Sequence, residues 1–287
     1  MSAFVAITGK IIIVGKSPDG DSLRFVPNNP AHLSRLAFSY RLRVSPDGSS
    51  QLRFEAIDTP ETHYEYLAQP LGDAARDALL RLAGFSHVTF NKETVLSATP
   101  LSVPATIVSR MVEVNGRPVA YVFLGVDSGL SDGLPVVQLE PFLPRSLNAA
   151  MLANGMAYPT FYTSTLAPHR ELLGAIAHGA RTHKLGVWGG DKTAQFTLVT
   201  QSSIGPAGEL ILPKLFRRCT DYLKMRQKGF TGTLAEWLVS THGKGTQDQD
   251  DEVWVGGKKV RLSSLLMQQG STLGLLADVA QIVFVEK

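Results

Sequence analysis

Residues 45–61 read Ser45-Pro46-Asp47-Gly48-Ser49-Ser50-Gln51-Leu52-Arg53-Phe54-Glu55-Ala56-Ile57-Asp58-Thr59-Pro60-Glu61, and the parsing of this stretch decides the fold. Ser45-Pro46-Asp47-Gly48 has the proline-second order of a tight turn. On either side of it, Phe38–Val44 and Gln51–Ile57 alternate apolar with polar residues, the period-two signature of a hairpin. Alternation would send Arg53, Glu55 and Ile57 to one face of the second strand, and Phe54, Ala56 and Asp58 to the other. Pro60 ends that strand by pushing Thr59 out of the helical region. Two carboxylates, Asp58 and Glu61, are thereby delivered beside a stiff turn.

Upstream, Gly9–Val14 reads as a strand, Ser17-Pro18-Asp19-Gly20 as a turn and Ser22–Val26 as the returning strand. Downstream, Asp73 caps a helix whose buried stripe is Ala74, Ala75, Leu79, Leu80 and Leu82, stopped by Gly84. Val88–Phe90, Thr106–Val114 and Pro118–Leu124 are further strands, with Asn115-Gly116 as a turn. The pattern then turns helical. Leu147–Ala153 ends at Gly155, and a longer helix carries Pro168 in its first turn with Leu172, Leu173, Ile176, Ala177 and Ala180 at helical spacing. Leu185–Trp188 closes this part. Strands followed by helices over a compact meander predict an α+β domain of the OB-fold type, a five-stranded β-barrel with three helices spanning residues 1–190.

Residues 191–206 are rich in Thr, Ser, Gln and Gly and read as a linker. Residues 207–287 read as a small mixed α/β module. Helices are expected near residues 209–226 and 234–241, a polar loop near 247–251, a hairpin over 252–262 and a last strand over 280–286. The stretch Lys214–Lys228 holds Lys214, Arg217, Arg218, Lys224, Arg226 and Lys228 against Asp221. A basic amphipathic helix here offers a nucleic-acid or acidic-partner surface, or only a solvated face. Trp237, Trp254 and the apolar end 281–285 build a small core or a self-association surface.

A chain of 287 residues with 44% hydrophobic and 18% charged residues is ordinary globular material. Its formal charge of +3 allows an anionic partner but supplies no bulk field, so any nucleic acid must be met by a few placed charges. A lone Cys219 excludes an intrachain disulfide and a thiolate metal cage, and reads as a small buried hydrophobe. His169, His178, His183 and His242 lack metal-ligand spacing. No apolar run approaches membrane-spanning length. Residues 1–15 lack the long apolar stretch of a secretory signal and read as the first strand, which favours an intracellular setting.

Three polar clusters sit at predicted strand ends: Asp19-Gly20-Asp21-Ser22, the run Arg53–Glu61, and Asn115-Gly116-Arg117-Pro118-Val119-Ala120-Tyr121. Each alone has a plain structural reading. The motif Ser45-Pro46-Asp47-Gly48-Ser49-Ser50 nearly repeats Ser17-Pro18-Asp19-Gly20-Asp21-Ser22, so turn geometry accounts for Asp19 and Gly20 as it does for Asp47 and Gly48. Only the added carboxylate of Asp21 goes unexplained.

Taken in order, Asp-Gly-Asp-Ser, Arg-x4-Asp-Thr-Pro-Glu and Gly-Arg-x2-Ala-Tyr resemble the staphylococcal nuclease (thermonuclease) family. Leu147-Asn148 with Gly155, and Leu185-Gly186-Val187-Trp188, extend the resemblance over about residues 8–190, with longer loops near 27–37, 91–105 and 125–146. The resemblance implies calcium-dependent hydrolysis of single-stranded DNA and RNA leaving a 3′-phosphate. It assigns Asp21 and Asp58 as calcium carboxylates and the carbonyl of Thr59 as a third ligand. Arg53 and Arg117 would grip the scissile phosphate, and Glu61 would orient or deprotonate the attacking water. Base-stacking tyrosines are expected after the second helix, where this chain offers Tyr158, Phe161 and Tyr162, with Thr163 at the place of the second family tyrosine. Ser22 replaces the usual Thr, and Val114 stands where the family often has a cation.

The charges support that division of labour independently. Calcium wants six to eight oxygens, so two carboxylates and a carbonyl leave room for water and a phosphate oxygen. Asp21, Asp58, Glu61, Arg53 and Arg117 sum to a net negative site that repels phosphate until a divalent cation reverses its sign. Two rival readings remain at the level of sequence. One is a catalytically silent nuclease-like barrel that binds nucleic acid or protein; the other is a phosphodiesterase for a smaller ligand.

Overall fold

The computed structural model describes residues 3–39, 41–125, 129–245 and 248–286. The chain divides into two compact units, the first made of residues 1–57 and 73–154, the second of residues 58–72 and 155–287. The division therefore does not follow a single cut near residue 190. Residues 58–72 leave the first unit and fold with the C-terminal part.

The first unit is a barrel-like sheet. Its strands are β1 (Phe4–Ile12), β2 (Arg24–Pro27), β3 (Ala37–Ser39), β4 (Ser50–Gln51) and β5 (Arg53–Phe54). The short β6 (Ile57–Asp58) spans the boundary between the units and lies outside this sheet; β7 (Ser86–Asn91) and β8 (Thr94–Thr99) form a two-stranded sheet of their own, and β9 (Ser102–Val112), β10 (Pro118–Leu124) and β11 (Pro135–Val136) return to the large one. The main path runs β4-β2-β1-β9-β10-β5. Only Leu52 separates β4 from β5, so one bent strand pairs with β2 through its first half and with β10 through its second. That strand closes the ring, and five strands make the barrel. Ile7, Ile11, Phe25, Phe54 and Tyr121 are fully buried inside it. Gly9 of β1 is needed where β2 passes, because a Cβ there would lie 2.2 Å from the carbonyl oxygen of Val26.

Alternation fails beyond Phe54. Ala56 adopts a left-handed φ of 68°, which breaks the expected strand 51–57 and resets its phase, so Glu55, Ala56, Ile57 and Asp58 are all buried. Phe38–Val44 shortens to β3, residue 40 lying outside the described residues, and β3 pairs in parallel with β9 while β4 and β5 pair with β2 and β10, so the hairpin expected between Phe38–Val44 and Gln51–Ile57 is not formed among the described residues. The expected loop at 91–105 instead contains β8, antiparallel to β7. In α1 (Gly72–Leu82) the stripe is Ala75, Ala78, Leu79 and Leu80; Ala74 is exposed, and Asp73 pairs with Arg76 in the first turn rather than lying outside the helix. Helix α2 (Leu147–Ala153) is capped by Ser146, whose hydroxyl accepts from the Ala149 amide.

The second unit contains β12 (Tyr158–Pro159), β13 (Phe161–Tyr162), α3 (Ala167–Thr182), α4 (Val187–Gly190), β14 (Phe196–Thr197), α5 (Pro213–Gln227) and α6 (Leu234–Ser240). Strands β15 (Glu252–Val255), β16 (Lys258–Arg261), β17 (Leu266–Gln269), β18 (Thr272–Leu275) and β19 (Val283–Phe284) complete it. One sheet has the order β13-β19-β15-β16 and another β14-β18-β17. Helix α5 begins at Pro213, later than the expected 209, because a residue before proline is driven to extended backbone; Leu212 has ψ 126°. Residues 191–206 are no free linker. Phe196, Leu198 and Ile204 are buried in the same core as Phe216, Tyr222, Trp237 and Phe284. Trp254 is 41% exposed and stays outside that core. Gln247 of the expected polar loop lies outside the described residues. Among the described residues no helix is long and apolar enough to cross a membrane.

Candidate functional site

In the first unit, backbone pairing sets Asp21, Arg53 and Arg117 on neighbouring segments. The amide of Phe54 donates to the carbonyl of Asp21 at 3.0 Å, and that of Leu52 to Leu23 at 2.8 Å. On the other side, Arg53 lies opposite Val119 in the parallel β5–β10 pair, two residues beyond Arg117. Asn148 of α2 locks the seam: its side-chain amide donates to the carbonyls of Glu55 and Ala120 at 2.8 and 3.1 Å, and its oxygen accepts from Val122 at 3.0 Å. Buried and fully engaged, this one side chain holds the end of β5 against β10.

The turn carrying Asp21 differs from its near-repeat. Gly48 takes a left-handed φ of 77° and bonds back to Ser45, while Asp47 accepts from Ser49 and pairs with Lys16. Gly20 has no such φ; it donates to the side chain of Asp19, and Asp19 bridges to Ser22. The left-handed residue of that region is Gly15, fastened to Val95 of β8. Similar letters therefore make two different turns, and the shared-geometry account of Asp19 and Gly20 does not hold.

Arg117 has a partner that the sequence reading missed. Its Nε donates to Glu113 Oε1 at 3.0 Å, and Glu113 also accepts from the amides of Asn115 and Arg117. Burial raises the pKa of Glu113, but the hydrogen bond and charge of Arg117 and the bonds from Asn115 outweigh it and hold this carboxyl below its ordinary value. A Glu four residues before an Arg across a turn was the available signal.

The remaining candidates belong to the second unit. Asp58 and Thr59 are buried, at 2% and 3% exposure. Glu61 is fixed through its backbone: its amide donates to Gln69 Oε1 at 3.2 Å, and its carbonyl accepts from the Gln69 amide at 2.9 Å. The Gln69 side chain in turn donates to the Ile211 carbonyl at 2.8 Å, tying this loop to the entry of α5. Gly72 packs on the same spot, since a Cβ there would fall 2.4 Å from the Glu61 carbonyl oxygen.

Arg217 of α5 reaches both carboxylates. Its Nη2 donates to Asp58 Oδ2 at 2.8 Å and its Nη1 to Asp58 Oδ1 at 3.3 Å, while Nη1 also donates to Glu61 Oε1. Burial disfavours the guanidinium charge, yet Asp58 and Glu61 more than offset that and push its pKa well above the ordinary arginine value. Arg217 was singled out in the sequence only as part of a basic face.

That basic face is largely turned inward. Lys214 is 7% exposed, donates to the Tyr162 hydroxyl at 3.0 Å, lies 4.2 Å above the Phe284 ring and faces Asp251. Arg218 pairs with Asp251 at 2.8 Å and with Gln249. Lys224 meets Asp221 and Glu65. With these cations paired to carboxylates of their own unit, Lys214, Arg217 and Arg218 do not present the free charge expected for nucleic acid. The aromatic candidates are also occupied. Tyr158 is fully buried and donates to Asp191 at 3.0 Å; Phe161 is buried; half-buried Tyr162 packs on Phe284, its strand β13 pairing with β19. Packing, rather than base stacking, is what Tyr158 and Phe161 do here. Cys219 is buried, as expected, and burial raises its thiol pKa.

The oxygen donors of Asp21, Asp58 and Thr59 suit a hard cation in chemistry. Both oxygens of Asp58 nevertheless accept from Arg217. Among the described residues, no group of three or more His, Cys, Asp or Glu is arranged to hold a metal ion.

Residues 51–190 match the family model described as staphylococcal nuclease homologue. No curated protein matches the chain.

Proposed function

We propose that the chain, whose residues 51–190 match the staphylococcal nuclease homologue family with its OB-fold, is a calcium-dependent nuclease that cleaves single-stranded DNA and RNA with little sequence specificity. The observation that carries this reading is that Arg53 on β5 pairs with Val119 of β10, two residues beyond Arg117 at the head of that strand, with Asp21 on the segment adjoining β5. In this reading the two guanidinium forks hold the non-bridging oxygens of a phosphodiester and stabilise the added charge of the five-coordinate phosphorus. Glu113 is a positioning residue that fixes Arg117 through Nε. Glu61 takes the proton of a water whose oxygen bonds to phosphorus. The bond from phosphorus to the 5′-oxygen breaks, that oxygen takes a proton from solvent water while Glu61 returns its own to solvent, and the products are a 3′-phosphate and a 5′-hydroxyl. Calcium, held by the Asp21 and Asp58 carboxylates and the Thr59 carbonyl, would supply the positive charge that lets a phosphate enter beside the acids.

One observation favours a second reading, a silent barrel that binds without cleaving: the Asp58 and Glu61 carboxylates are already paired to Arg217. Mass spectrometry of a denatured DNA oligonucleotide incubated with the protein and millimolar calcium tests the choice. Fragments ending in 3′-phosphate support the nuclease, and intact oligonucleotide retained by the protein supports the silent barrel.

A further inference from the structure

Arg217 stands where its charge bears directly on the use of Asp58 and Glu61. We propose that it is a built-in competitor of the divalent cation: its guanidinium neutralises these two carboxylates in the resting protein, and calcium binds only by displacing it. The inference rests on the calcium reading above and adds regulation to it.

Three features carry the proposal. The fork takes both oxygens of Asp58, at 2.8 and 3.3 Å, and one oxygen of Glu61, so the carboxylate that would ligate a cation and the one that would act on water share a single counter-ion. The counter-ion is also held firmly from behind. Its helix α5 buries Leu215, Phe216, Cys219 and Leu223, and the Gln69–Ile211 bond links the helix entry to the loop of Glu61. Finally, an arginine keeps its charge at any ordinary pH, so protonation offers no release and only a stronger cation can take its place. Calcium, with two charges and a demand for carboxylate oxygen, is such a cation. The consequence is a raised calcium threshold: the enzyme stays quiet at low calcium and opens when the ion is abundant.

Isothermal calorimetry with calcium chloride on the full chain, wild type against Arg217→Ala, tests the proposal. The variant is expected to bind calcium about 10-fold more tightly or better, since a unit charge beside the ion has been removed. Its melting temperature should be lower without calcium, yet rise more on calcium addition than that of the wild type, because ligand binding to the native state adds stability. Arg217→Gln, which keeps a donor for the carboxylates, replaces Arg217→Ala if the latter loses its helical circular dichroism. Unchanged or weaker calcium binding in the variant, with calcium-dependent cleavage intact in the wild type, overturns the competitor role alone. Failure of both proteins to bind calcium overturns the metal assignment and this inference together.

Discussion

Two arginines of this molecule meet carboxylates in opposite ways, one in each unit. In the barrel unit Arg117 is held by a single Glu113 through Nε, a contact that does not use its terminal amino groups. In the second unit Arg217 spends both terminal amino groups on Asp58 and Glu61. The first arrangement aims a guanidinium; the second uses one up. An arginine that works on substrate needs a partner behind it, whereas an arginine that faces two acids is itself the partner. Arginines that are the same letter in the sequence thus carry charges with different partners.

The largest expected effect is on the aimed pair. Arg53→Ala or Arg117→Ala should lower the cleavage rate of denatured DNA by about 10²- to 10³-fold, the cost of a lost oxyanion donor. Circular dichroism should stay native, and near-normal turnover in either variant would remove these residues from the mechanism. On the other side of the comparison, Asp58→Ala leaves the Arg217 charge with Glu61 alone. With one of its two partners kept, the loss is that of a charged hydrogen bond, about 1.5–3 kcal/mol, and urea unfolding should shift by that order. A shift below ~1 kcal/mol would mean that the Arg217 contact holds little. Glu61→Gln should slow hydrolysis more than it weakens calcium binding, an order that calorimetry beside steady-state kinetics can reverse.

Glu113→Gln is the finest probe. It should cost about 1 kcal/mol of stability, less than the ~1.5–3 kcal/mol of a hydrogen bond to a charged group because Gln keeps a neutral acceptor, and reduce the cleavage rate through a loosened Arg117. The folded-state pKa of Glu113 lies below its ordinary 4.5, so the contribution of this carboxylate is present above pH 4.5 and is lost as pH falls through the folded value. The stability gap between wild type and variant should therefore be full at neutral pH and close in acid. A gap that widens in acid would contradict the assigned direction.

Local signals served the sequence reading well. The strands β1, β2, β9 and β10, the helices near 72–82, 147–153 and 167–182, and the hairpin at 252–261 follow from alternation, helical spacing and turn residues, all of which act over a few positions, whereas the hairpin expected across 45–48 does not form. What was hidden depends on partners far along the chain. Arg217 and Asp58 are 159 residues apart, and nothing local to Lys214–Lys228 tells a solvated cation from a paired one. The Ala56 φ of 68° breaks a strand that its letters support, because the neighbouring Glu55 amide is drawn to Ala120 and its carbonyl to Asn148. Composition also misled at 191–206. Its Thr and Gln content reads as linker, but Phe196 and Leu198 are buried, and Phe196 pairs across to Leu273 of β18. Tyr158 and Phe161 likewise carry the letters of a stacking platform and the burial of a core.

If these acids and arginines hydrolyse phosphodiesters with calcium, cleavage must follow the ion. The most direct test is a titration of calcium into the full-length protein with single-stranded DNA, following cleavage rate, with chelator added at the end. The account predicts no cleavage without calcium, a rise that saturates in the millimolar range and abolition by chelator. Retention of the DNA without cleavage at every calcium concentration, or cleavage indifferent to chelator, would contradict it.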